Sequence, residues 1–167
     1  RKLNRPLAIS CRPSRLQPPP PAQTHTHTSR SMAVTTLMFR GIPRTLTPGA
    51  FLRELQRHVH VTSLDFVYLP WVDGKTHNVG RAFVNFTTPE AAAVAWRAMD
   101  GRILAAAPTE RPVEVLVAQA QGLMANIAQC QHRLQLHTGS EHDPLVLING
   151  QRASFRALAA SLPHGAL

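Results

Sequence analysis

The chain has 167 residues, enough for one domain with appended segments rather than two full domains. Its formal charge is +9, but six basic residues lie in Arg1–Ser31, which holds no acid, whereas Met32–Leu167 sets twelve basic side chains against nine acidic ones, a modest +3. Two cysteines, Cys11 and Cys130, exclude a disulfide framework or a four-thiolate zinc site, and no apolar run approaches the roughly eighteen residues of a membrane-spanning helix.

The leader carries four consecutive prolines, Pro18 to Pro21, and the alternation Thr24-His25-Thr26-His27-Thr28, with no apolar periodicity able to build a core. Residues 1–31 are expected to be a disordered basic tail. Being arginine-bearing and free of acid, this stretch also has the composition of an organelle transit peptide, an alternative to residence in nucleus or cytoplasm. Two imidazoles with no other ligand nearby do not make a metal site.

From Thr35 the pattern becomes strand, helix, strand, strand, helix, strand. Residues 35–40 alternate and read as a first strand. Thr47 followed by Pro48 is a helix cap with proline at the first helical position, and Phe51, Leu52, Leu55 and Val59 then recur at helical spacing to about His58. Leu64–Leu69 is a second strand closed by Pro70, the loop over residues 72–78 carries the turn signal Asp73-Gly74, and Gly80–Phe86 is a third strand. Thr88-Pro89-Glu90 repeats the cap, and Ala92, Ala95, Trp96 and Met99 form the buried stripe of a second helix ending at Asp100-Gly101. Val113–Ala118 is a fourth strand. The order is that of an α+β, ferredoxin-like βαββαβ sandwich, with two helices on one sheet face and the other face open.

Further along, Gln119–Leu136 predicts a third helix with Ala120, Leu123, Met124, Ile127 and Leu134 on one side. Pro144–Asn149 reads as a short strand, and Phe155, Leu158 and Leu162 as a weak terminal helix. The expected division is a tail over 1–31, the sandwich over 32–118, its helical extension over 119–150 and a second tail with a short helix over 151–167.

Side chains alternate across a strand. Ala82, Val84 and Phe86 therefore share the core face of the third strand with Leu37 and Phe39 of the first. That leaves Met38 and Arg40 on the open face beside Arg81, Phe83 and Asn85. Phe83 offers a ring, Arg81 a guanidinium plane, and Lys75 and His77 a basic loop nearby; the same residues also suit a ring packed under the third helix and ordinary solvated charges. Trp71, after Pro70, reads more as a packing anchor than as a base reader.

The segments Leu37-Met38-Phe39-Arg40-Gly41-Ile42 and Val79-Gly80-Arg81-Ala82-Phe83-Val84-Asn85-Phe86 stand at the spacing of an RNA recognition motif, and more narrowly the chain resembles the C-terminal motif of Mei-two-like proteins. That resemblance rests on Thr35-Thr36-Leu37-Met38 with Arg40, Ile42 and Pro43, on Asp65, Phe66, Tyr68, Leu69 and Pro70, and on Asn78, Val79, Gly80, Ala82, Phe83 and Asn85. It continues through Ala118-Gln119-Ala120-Gln121-Gly122 and covers about Thr35 to Asn149. Gly41 stands where the family has asparagine, and Arg81 where it has tyrosine. The usual stacking positions are Met38, Arg81 and Phe83, so one ring of three remains.

The resemblance implies RNA binding in post-transcriptional regulation, tied in the family to meiosis and development, and not catalysis. The expected partner is single-stranded RNA, the expected state a monomer, and no cofactor or metal is expected. Met38, Arg40, Lys75, Arg81, Phe83 and Asn85 are the candidate RNA contacts. A competing reading makes the domain a protein-interaction module, with a degenerate sheet or the first helix docking a peptide, and leaves RNA to the basic tail. An enzyme on this fold finds no paired carboxylates, nucleophile elbow or phosphate-cradling glycine loop in the sequence, and Cys130 and His132, two apart on a helix, would not face each other.

Overall fold

Alternation and capping set the architecture locally before tertiary contacts close it. In the computed structural model, which describes residues 33–72, 74–104, 111–134 and 142–162, the elements run β1 (Thr36–Arg40), α1 (Pro48–Gln56), a 3-10 turn (Val61–Ser63), β2 (Leu64–Tyr68), β3 (Arg81–Phe86), α2 (Pro89–Met99), β4 (Glu114–Val117), α3 (Leu123–Leu134), β5 (Leu145–Ile148), β6 (Gln151–Ala153) and α4 (Phe155–Ala160). The expected tail over 1–31 lies outside the described residues.

Both early helices begin as the sequence predicts. The Thr47 hydroxyl accepts from the Ala50 N–H with Pro48 next in line, and Thr88 does the same for Ala91 ahead of Pro89. Phe51 and Leu55 of α1 and Ala92, Ala95 and Met99 of α2 turn toward the sheet. They meet Leu37, Phe39, Val67, Ala82, Val84, Phe86, Val113 and Val115 in the main core. Phe39 and Phe51 lie edge to face at 5.6 Å.

The sheet has six antiparallel strands in the order β4-β1-β3-β2-β5-β6. Its first four are the ferredoxin-like set. The other two form a hairpin added to the free edge of β2, turned by Asn149-Gly150 with both residues at positive φ (53° and 79°). Such a turn matches the twist of the strands it joins. This corrects the expected division at 150/151, which falls inside the hairpin: both sides belong to one sheet, and a strand as short as β6 left too little pattern to read.

A second apolar cluster forms on the face away from α1 and α2, where Ile127 and Cys130 of α3 and Phe155 and Ala159 of α4 pack on Phe66, Tyr68 and Val146. The buried side of α3 is Leu123, Asn126, Ile127 and Cys130, and Met124, expected on that side, is 47% exposed. The open face is therefore only partly open.

Candidate nucleic-acid interface

Strand register sorts the face opposite α1 and α2 into rows. One row crosses β4, β1 and β3 as Glu114, Arg40 and Arg81. The next runs Leu116, Met38, Phe83 and Tyr68 across β4, β1, β3 and β2. A last row runs Thr36, Asn85, Phe66, Val146 and Ala153. Charge lies at one margin, apolar surface in the middle, and a buried polar-to-apolar strip under α3.

The buried strip is held by a hydrogen-bond chain that leaves little capacity unused. The Thr36 hydroxyl donates to Asn85 Oδ1 (2.6 Å) and accepts from the Gly122 N–H and from Asn126 Nδ2 (3.0 Å each). One donor and two acceptor sites are all a hydroxyl has. Asn85 Nδ2 passes the chain on to the Asp65 carboxylate at 2.7 Å. Burial raises the Asp65 pKa above its ordinary value of 3.8, and the Asn85 hydrogen bond opposes that rise.

Gln121 closes the same corner. Its carbonyl oxygen accepts from the Thr35 and Thr36 N–H groups, and its amide donates to the Thr36 and Ala118 carbonyls, so one side chain continues the ladder past the end of β4. Through Thr36, Gln121 and Asn126, α3 is fastened to β1.

The middle row is where the sheet remains reachable. Phe83 is half-buried, with one flank against the second cluster, while Met38 and Leu116 are half-exposed beside it. A hollow of about 30 Å³ separates Phe83 from α3, lined by Phe66, Tyr68, Asn126, Gln129 and Cys130. It has room for little more than a water. A wider hollow of about 390 Å³ lies between α1 and the β5-β6 hairpin, with Leu52, Val61 and Leu145 among its walls, and none of the candidate contacts reaches it.

At the charged margin Arg40 and Arg81 are exposed and directly opposite each other in the β1-β3 register. Like charges so placed repel unless an anion lies between them. Glu114, on the other side of Arg40, approaches its guanidinium at 3.7 Å with both side chains well solvated, a pairing worth little. Arg81 has no ion pair among the described residues.

Of the candidate contacts, Met38, Arg40, Arg81 and Phe83 come together on this surface. Asn85 shares their face but is only 2% exposed, its amide taken up by Thr36 and Asp65. It is corrected here from a surface contact to a buried polar link; alternation gives the face of a side chain and says nothing of the helix above it. Lys75 is exposed in the β2-β3 loop and His77 half-exposed. That loop is pinned by Trp71, whose Nε1 donates to the Lys75 carbonyl (2.8 Å) and whose ring stacks on His142 at 4.1 Å and 3°. Asn78, fully buried, ties the start of β3 to the β1-α1 loop: Nδ2 donates to the Pro43 and Leu46 carbonyls and Oδ1 accepts from the Gly80 N–H. Leu116 belongs to this surface without being among the candidate residues: Val113 and Val115 are buried, and strand alternation turns Leu116 to the opposite face.

The family model described as RNA recognition motif 2 matches residues 34–131, more than half of the chain. The chain is 32% identical over 113 residues to Protein MEI2-like 1 of Arabidopsis thaliana, covering 67% of this chain and 12% of that protein. It is 30% identical over 113 residues to Protein MEI2-like 4 of Oryza sativa subsp. japonica, covering 67% of this chain and 11% of that one. The chain thus spans roughly an eighth of the length of these curated relatives. Among solved structures, the Rna15 RRM with bound RNA (GU) aligns at a TM-score of 0.46 and 18% identity, over 58% of this chain and 96% of that one. With its strand order, its two motif segments and its resemblance to the MEI2-like proteins in agreement, the chain belongs to the RNA recognition motif 2 family, a family of RNA recognition and not of enzymes.

Proposed function

We propose that the chain binds single-stranded RNA on the β4-β1-β3 half of its sheet. The observation that carries this is the row Leu116, Met38, Phe83, reachable on the face away from α1 and α2 and bordered by Arg40 and Arg81. One base stacks on Phe83, its neighbour lies over Met38 and Leu116, and a phosphate bridges the opposed guanidiniums, with Lys75 adding a second phosphate contact from the loop. Stacking on one ring is worth about 1 to 3 kcal/mol, so the site is weaker than a three-ring surface. Post-transcriptional regulation is the process this reading implies. Titrating Phe83→Ala and Arg81→Glu against short RNAs tests it. Weakened binding in both supports the sheet, and unchanged affinity in both removes it.

One observation favours a second reading. α3 and α4 take up the β2-β5 half of the face, which leaves less sheet for bases and favours a protein-interaction module with RNA left to the basic leader. Deleting residues 1–31 separates the two: if RNA affinity and its salt dependence disappear with the leader, the sheet is not the binder.

A further inference from the structure

A base stacked on Phe83 would lie against the wall that α3 makes, and its polar edge would meet whatever group that wall presents. Of the polar groups around the hollow beside Phe83, Asn126 is buried with its amide nitrogen committed to Thr36 and the Gly122 carbonyl, and Tyr68 and Cys130 already have partners. Gln129 is exposed, lines the same hollow, and makes no hydrogen bond among the described residues. Its carboxamide carries donors and an acceptor on one plane, the complement a base edge needs.

Position makes this more than a solvated glutamine. α3 is fastened to β1 by the saturated Thr36, Gln121 and Asn126 bonds, so the backbone that carries Gln129 is held at a fixed place beside the ring. A side chain presented from a fixed wall discriminates between bases; one on a mobile segment adapts to all of them. The hollow itself has room for a water but not a base, which keeps the stacked base at its mouth, beside the amide. Resting on the RNA-binding reading above, we propose that Gln129 is a specificity-determining residue that reads the edge of the base stacked on Phe83.

The test is fluorescence-anisotropy titration of the full chain, Gln129→Ala, Gln129→Glu and Phe83→Ala with short oligouridine, oligocytidine, oligoadenosine and alternating guanosine-uridine RNAs. The expected result is that Gln129→Ala weakens the tightest oligomer most, lowering the ratio between the tightest and weakest oligomers by about fivefold or more with no change in melting temperature, and that Gln129→Glu reorders the preference. Phe83→Ala is expected to weaken all four together. An unchanged ratio in both Gln129 variants, with Phe83→Ala still weakening every oligomer, overturns the role of Gln129 and leaves sheet binding standing. Indifference to Phe83→Ala overturns the role of Gln129, and indifference to Arg81→Glu as well overturns sheet binding with it.

Discussion

Gly41 has φ +76°, and a Cβ there would stand 2.6 Å from the Pro112 carbonyl oxygen. Left-handed backbone favours glycine or asparagine at this point, and the close Pro112 carbonyl favours glycine, which has no Cβ to meet it. Gly41→Ala is expected to cost roughly 2 kcal/mol or more in urea unfolding, and Gly41→Asn less, because only the crowding remains. At Asp65 the sign runs the other way from a salt-bridged carboxylate. Burial raises its folded pKa above 3.8, so the folded state holds the proton longer and stability falls as pH rises through the window above that value. Asp65→Asn keeps an acceptor for Asn85 and removes the charge. Its stability relative to the unmodified chain is expected to improve from about pH 4 upward, read as the difference between urea midpoints across pH; a constant difference would refute the assignment. At the surface, Arg81→Ala should make the dependence of log affinity on log salt shallower by about 0.7, the contribution of one phosphate contact on a single strand.

α3 carries the consequence that the strands and first two helices do not. Strand alternation and the two threonine-proline caps made the four-stranded sandwich legible, because each depends on residues close in sequence. The docking of α3 depends on Thr36, 90 positions from Asn126, and no local pattern reports a bond of that span. The hydrophobic stripe accordingly predicts Met124 inside, whereas polar Asn126 is the residue buried. The string Ala118 to Gly122, readable only as a likeness to relatives, is a set of hydrogen-bonding groups that fasten the helix. Thr36→Val would strand the Gly122 N–H, one of the two Asn126 Nδ2 hydrogens and the Asn85 carbonyl; each unpaired buried group costs about 1 to 3 kcal/mol. Faster amide exchange confined to α3 and α4, with β1 to β4 still protected, is the expected signature, and an unaltered exchange pattern would show that apolar packing alone holds the helix.

On the scale of the whole molecule, charge and shape divide the work. The described sandwich has α1 and α2 on one face and α3 with α4 over half of the other, so the reachable part of the sheet narrows to β4, β1 and β3. Most of the excess positive charge is in Arg1–Ser31, which suits attraction to a polyanion at a distance rather than discrimination between bases. Chemical-shift mapping of the labelled chain during titration with a short single-stranded RNA tests the account most directly. It predicts that the amides around Met38, Arg40, Arg81, Phe83 and Leu116 move together while those of α1 and α2 stay still; shifts confined to residues 1–31, or centred on α1 and α2, would contradict it.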